Sequence, residues 1–281
     1  MDQPEGRKTR WAAEASTYDS KPETNRMHGI FMDYAKEQCG ELHGCSVLEF
    51  GCGTGRKAIA FLEAGAASVV AADTEPEMLR MVERNVPPGV ASNLATLALC
   101  EERDAAELCG QQFDIVIAAF VLHHVKRWQA VLRQLVACVR PGGRFLVGEF
   151  VTGGAAVADA KLREEKGIFA EGWTVDGMRE ILTQLGLHPA PLAARFDVDF
   201  SRIRRERMAA EQAGGESKDD AHGHGHEHAH GQAHDHAHGH AHDHAHGTQA
   251  HGQAHRHAHE GSPVQPAFIL AAQKPLCTKA A

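Results

Sequence analysis

The sequence predicts an α/β protein built on a largely parallel sheet, and three observations carry that expectation. Short runs rich in Val, Ile, Leu, Ala and Phe alternate along the chain with patterns of helical period. One of these runs passes directly into a turn with glycine at every second position, Gly51, Gly53 and Gly55. The length, 281 residues, suffices for one open sheet covered by helices on both faces.

Strands are expected at Val47 to Phe50, Ser68 to Ala72, Thr96 to Cys100, Asp114 to Ala119, Arg144 to Phe150, Ala194 to Phe200 and Ala267 to Ala272. Their β-branched and aromatic side chains suit a pleated, buried surface. The clearest helix follows His124, where Val125, Trp128, Val131, Leu132, Leu135, Val136 and Val139 recur at steps of three and four and line one face. Arg140-Pro141-Gly142-Gly143 is expected to stop it. A second helix should start at Thr174, whose hydroxyl can cap it, and end at Gly186, with Met178, Ile181, Leu182 and Leu185 inward.

A glycine-rich turn between a strand and a helix lets the backbone approach a ligand closely and leaves amide donors pointing at it. Dinucleotide-binding turns space their glycines as G-x-G-x-x-G to seat a pyrophosphate on the helix N-terminus. Here the third glycine comes one residue sooner.

The segment Glu49-Phe50-Gly51-Cys52-Gly53-Thr54-Gly55 resembles the first motif of the class I S-adenosylmethionine-dependent methyltransferases. Four further landmarks follow in that family's order: Asp73 at the end of the second strand, Glu102-Arg103-Asp104-Ala105, the strand Phe113 to Ala119 with its turn Phe120 to Val125, and Val139 to Val147. The resemblance spans roughly residues 46 to 200 and 264 to 275. It implies a Rossmann-like, seven-stranded, mostly parallel sheet with an antiparallel last strand and helices on both faces. It also implies S-adenosyl-L-methionine as cofactor, held by Glu49, Gly51, Cys52, Gly53, Gly55, Asp73, Asp104, Ala105 and Ala119. In that family Asp73 would accept from the ribose hydroxyls, a task suited to an acceptor-only carboxylate, and Asp104 would accept from the adenine amino group.

The expected reaction is an in-line displacement at a sulfonium, which asks the protein chiefly to position the nucleophile and exclude water. A base is required only where the acceptor carries a proton, and His123 or His124 after the fourth strand is the candidate. The overall pattern looks like the small-metabolite and quinone-biosynthesis methylases, including Ala13 to Asp19 ahead of the first strand. Substrate contacts are expected from Tyr18, Met27, His28 and Phe31, and from Trp173 at the end of a lid beginning at Gly153. No Asn/Asp-Pro-Pro-Tyr follows the fourth strand and no Pro-Cys pair exists, which argues against amide, adenine-amine and cytosine methylation.

The formal charge of −8 argues against a nucleic-acid backbone as main partner and favours a small-molecule substrate. The seven cysteines show no C-x-x-C spacing, and most lie in apolar stretches, as expected in a reducing compartment. No apolar run reaches the ~18 residues of a membrane span, and Met1 to Arg10 is unlike a secretory signal, so a soluble cytoplasmic protein is expected. The oligomeric state is not legible.

Three regions are expected: an N-terminal helical cap over residues 1–44, a core over 45–208 and 263–281, and a His-rich insertion over 209–262 between the last two strands. Sixteen histidines stand between His222 and His259. With almost nothing larger than alanine to bury, this tract cannot offset the entropy of ordering, and disorder is expected. His222, His224, His226, His228, His230, His234, His236, His238, His240, His242, His244 and His246 are candidate ligands for nickel or zinc at several weak, exchangeable sites. A pH-dependent charge and a neutral repeat are the competing readings of the tract. A metal-handling protein on a methyltransferase scaffold and a protein methylase are the alternatives to small-molecule methyl transfer.

Overall fold

The computed structural model describes residues 9–151, 167–170, 172–201 and 264–276, all within one compact unit formed by residues 1–202 and 261–281. The expected insertion therefore lies outside the described residues.

The strands are β1 (Ser46–Phe50), β2 (Ser68–Asp73), β3 (Leu94–Ala98), β4 (Phe113–Ala119), β5 (Val139–Phe150), β6 (His188–Pro189), β7 (Ala194–Asp199) and β8 (Val264–Gln273). The helices are α1 (Arg10–Glu14), α2 (Pro22–Cys39), α3 (Arg56–Glu63), α4 (Pro76–Asn85), α5 (Trp128–Ala137) and α6 (Val175–Gln184). The sheet order is β3-β2-β1-β4-β5-β8-β6, with β7 also on β8. β1 to β5 pair in parallel, while β8 runs antiparallel to β5, β6 and β7.

Helices on both faces require strands that are apolar on both sides. Along β4, Ile115 and Ile117 join one core cluster with Phe31 of α2 and Phe61 of α3, while Val116 and Ala118 join the other with Leu132 and Leu135 of α5. That alternation is the two-residue period of a strand. The first crossover carries the chain from β1 to β2 on one side, and β4 lies on the other. A crevice opens above the carboxyl ends of β1 and β4, the position where open α/β sheets bind ligands.

Three expectations are corrected. The expected strand from Ala194 forms as β7, but a further two-residue strand, β6, precedes it and gives eight strands instead of seven; Pro191 lies in the stretch between them, where proline cannot donate to a ladder. Arg140-Pro141-Gly142-Gly143 lies inside β5 as an irregularity. Gly142, at φ +81°, donates to the Lys274 carbonyl at 2.9 Å, and Lys274 returns a bond to Gly143. β3 begins two residues earlier than expected because Leu94 pairs with Val69. The Thr174 cap forms as expected, its hydroxyl accepting from the Gly177 amide at 2.9 Å.

Candidate functional site

The glycine turn after β1 has three residues at positive φ, Gly51 at +66°, Gly53 at +54° and Gly55 at +81°. Two of these glycines are required by crowding. A Cβ on Gly51 would lie 2.2 Å from Val121 Cγ2, and one on Gly55 would lie 2.8 Å from both Val82 methyls. Gly53 is different, because a Cβ there would meet nothing and the residue faces the cavity.

Asp73 holds this turn. Its Oδ2 accepts from the Gly53 amide at 2.8 Å and its Oδ1 from the Glu75 amide at 2.9 Å, which leaves acceptor capacity for a ligand. Burial raises its pKa, opposed by those amides. Glu49 is 1% exposed and works from beneath: Oε2 accepts from the Ala58 amide in the first turn of α3 at 2.8 Å, and Lys57 Nζ lies 3.2 Å from Oε1. A carboxylate there complements the positive end of the helix. Burial pushes Glu49 up against the pull of Lys57. Lys57 is held above its ordinary value by Glu49 although its own burial works the other way.

The cavity above this turn has a volume of about 610 Å³, within the range of small-ligand sites. The glycine turn, Asp73 and Ala105 line one part of it, and Trp11, Phe120, Val121, His124 and Phe169 line another. Phe120 adopts φ +58°, a strained conformation for a bulky residue, with its amide donating to the Gly148 carbonyl at 2.7 Å. The N-terminal segment roofs the site. Thr9 donates to Glu75, and Asp19 accepts from the Thr54 hydroxyl at 2.8 Å.

The two histidines after β4 have separate surroundings. His123 is 8% exposed, and its Nδ1 lies 2.7 Å from Oε2 of Glu149, whose Oε1 accepts from the Leu122 amide. His124 lines the cavity, with Nδ1 2.9 Å from the Gly167 carbonyl and Trp11 edge-on at 5.0 Å. Burial, then His123, pushes its pKa down to about 3. His28 lines the same cavity and is lowered to about 4 by burial, then by Lys57 and Arg56. Its Nδ1 is buried without a hydrogen-bond partner among the described residues.

The structure brings Tyr18, Met27, His28, Gly51, Cys52, Gly53, Asp73, Ala105, Ala119 and His124 together around the cavity. Six expected site residues are elsewhere. Asp104 takes a left-handed conformation and turns outward to Arg127, accepting from Nε at 2.7 Å. Phe31 is fully buried in the core between α2 and the sheet. Trp173 packs edge-on against Trp128 at 5.3 Å. Glu49 and Gly55 support the turn from outside the cavity lining, and His123 is held against Glu149. The histidines from His222 to His246 lie outside the described residues. Among the described residues no group of three His, Cys, Asp or Glu could hold a metal, and no helix is long and apolar enough to cross a membrane.

Sequence reasoning missed Thr9, Trp11, Lys57 and Phe120 as lining residues, while Phe169 lies within the expected lid segment. Lys57 carried a signal, since it stands two residues past Gly55, and so did Phe120, the first residue of the turn after the fourth strand. Thr9 and Trp11 reach the cavity only through tertiary packing.

The residues present fit an adenosyl sulfonium. The open approach at Gly53 admits it, Asp73 keeps free acceptor sites, and His28 lines the same cavity. Arg56 and Lys57 open α3 on the cavity wall, where an anionic group gains from both charges and the helix end.

Residues 48–145 match the family model described as "Methyltransferase domain". The ubiquinone/menaquinone biosynthesis C-methyltransferase UbiE of Azotobacter vinelandii is 31% identical over 159 residues, covering 52% of this chain and 61% of that protein. The ribosomal protein L11 methyltransferase of Xanthomonas campestris pv. campestris is 32% identical over 114 residues, 41% of this chain and 35% of that one. The chain thus spans about a third to three fifths of the length of these curated relatives. The S-adenosylmethionine-dependent methyltransferase of Mesorhizobium loti superposes with a TM-score of 0.53 at 15% identity, covering 87% of this chain and 98% of that one. Residues 48–145 are thus similar to a methyltransferase domain, and the chain has the Rossmann-like α/β fold of that solved structure.

Proposed function

We propose that this protein transfers the methyl group of S-adenosyl-L-methionine to a small-molecule acceptor. The observation that carries the reading is the turn Gly51 to Gly55 pinned by Asp73, with an unobstructed approach at Gly53. The kinship to UbiE, whose name assigns it to quinone biosynthesis, supports a small acceptor.

In this reading Gly51, Cys52, Gly53, Asp73, Ala105 and Ala119 hold the adenosyl part, and Arg56, Lys57 and His28 hold the amino-acid end. When bound, the cofactor supplies an electrophilic methyl on a positively charged sulfur. Tyr18, Met27 and Trp11 exclude water from above, where a dry, fixed geometry favours displacement. Glu49 and the ion pair with Lys57 keep α3 and its turn in place.

Calorimetric titration with S-adenosylmethionine and S-adenosylhomocysteine tests the cofactor assignment. Saturable heat with both is expected, followed by release of S-adenosylhomocysteine when a panel of small acceptors is added. Heat with NAD or ATP but none with the sulfonium would overturn the reading.

A further inference from the structure

We infer that Glu149, which lies outside the cavity lining, is a positioning residue for the cofactor site, resting on the methyl-transfer reading for the identity of the ligand. Its carboxylate holds the turn after β4 against the glycine turn after β1.

A buried carboxylate on a strand carries a desolvation cost that apolar packing does not offset. Glu149 is 0% exposed, and Phe145, Leu146 and Val147 of the same strand are apolar and equally buried. Both of its oxygens are engaged by one turn. Oε1 accepts from the Leu122 amide at 2.8 Å, and Oε2 lies 2.7 Å from Nδ1 of His123. Glu49 does comparable work at β1, where its Oε2 takes the Ala58 amide beneath the glycine turn. Among the described residues the buried polar or charged side chains are Glu49, Thr54, Glu75, His123 and Glu149. All stand at the carboxyl ends of strands or in the turns that follow them, so buried polarity is gathered at the edge where the cavity opens.

What Glu149 holds is Val121. The residue before it is Phe120, at φ +58°, whose amide donates to the Gly148 carbonyl at 2.7 Å. The residue after it is Leu122, whose amide donates to Glu149. Consecutive residues of β5 therefore take the amides on both sides of Val121, one through its backbone and the other through its side chain. A left-handed backbone at a bulky residue persists only where its surroundings fix it, and these two bonds do so. Val121 in turn lies against the glycine turn, because a Cβ on Gly51 would come within 2.2 Å of its Cγ2. Gly51, Phe120 and Val121 all line the cavity. A shift of the turn after β4 would move that wall and the surface on which Gly51 rests.

The same clip reaches a second wall. The His123 carbonyl accepts from the Phe169 amide at 2.7 Å, and Phe169 lines the cavity. Neither Glu149 nor His123 is part of the lining, so an effect of either on ligand affinity must pass through the turn.

The test uses the full chain with S-adenosylhomocysteine as the probe. It is titrated calorimetrically into the wild type, Glu149→Ala, Glu149→Gln, His123→Ala and His123→Asn, each well below its unfolding temperature. Glu149→Ala and His123→Ala should weaken binding about tenfold or more, the scale of one lost hydrogen bond to a charged group. Glu149→Gln, whose carbonyl still takes the Leu122 amide, and His123→Asn, whose amide nitrogen can stand in for Nδ1, should recover most of that affinity. A role confined to stability would lower the unfolding temperature and leave the affinity of the folded protein unmoved. Hydrogen exchange gives a second readout: the Phe169 amide should exchange faster in both Ala variants, with the amides of β1 and β2 unchanged. Unchanged affinity in Glu149→Ala overturns the inference, as does faster exchange spread evenly over the sheet. Should Glu149→Ala not fold, His123→Ala decides, and unchanged affinity there is equally fatal. Absence of heat with the wild type would instead defeat the methyl-transfer reading itself.

Discussion

The hydroxyl of Tyr34 occupies the gap between β6 and β7: it accepts from the Ala271 amide of β8 at 3.1 Å and donates to the Leu192 carbonyl at 2.8 Å. Ala271 pairs on its other side with Leu146 of β5, so its amide faces the missing stretch of ladder and would otherwise be buried without a partner. A helix side chain thus completes the sheet between these two strands. Tyr34→Phe should lower stability by about 1–3 kcal/mol, the penalty for an unsatisfied buried donor. Urea denaturation checks this, and an unchanged midpoint with an unchanged slope would contradict it.

Two glycines of the ligand turn should separate folding from binding. Gly51→Ala forces a Cβ to within 2.2 Å of Val121 and is expected to destabilise the fold and displace the turn after β4. Gly53→Ala has open space and carries only the left-handed backbone cost of about 1–2 kcal/mol, yet it should abolish most cofactor affinity. Thermal unfolding beside calorimetry distinguishes the two, and equal losses of affinity and stability in both variants would reject the distinction.

Asp73 and Asp104 were both expected to accept hydrogen bonds from the cofactor, at the ribose and the adenine, but should behave oppositely. Asp73→Asn and Asp73→Ala are expected to weaken S-adenosylmethionine binding by about 1–3 kcal/mol through lost charge-assisted hydrogen bonds. Asp104→Ala breaks a half-exposed pair with Arg127, worth about 0–1 kcal/mol of stability, and should leave cofactor affinity alone. A large affinity loss in Asp104→Ala would restore that residue to the site.

The stability of the protein should fall as pH drops below the imidazole range. His124 sits at about 3 when folded, from burial and then His123, against a reference of 6.5. Between those values the unfolded chain binds the extra proton, so the contribution is fully present above pH 6.5 and declines on acidification. The slope from this one group approaches ~1.4 kcal/mol per pH unit. Denaturation midpoints of wild type and His124→Gln from pH 7 to 5 check the sign, which is wrong if the substituted protein loses stability as steeply.

The glycine turn was legible because its constraints are local. Gly51 and Gly55 are demanded by positive φ and close neighbours within one βα unit, and Asp73 follows at the end of the adjacent strand. The Thr174 cap was legible for the same reason. Phe31 and Trp173 were misplaced because an aromatic residue near a site and one in the core have the same local sequence pattern, and only packing separates them. Asp104 was misplaced because its partner, Arg127, approaches from the segment after β4.

The sequence by itself determined the α/β class, the positions of most strands and the glycine turn, since period, propensity and backbone freedom are properties of contiguous residues. Tertiary structure alone decided which histidine faces the cavity. His123 and His124 are neighbours with the same chemistry, and what divides them is that Glu149 from β5 meets one ring while Gly167 and Trp11 meet the other. Those partners come together only when segments far apart in the chain share one buried space.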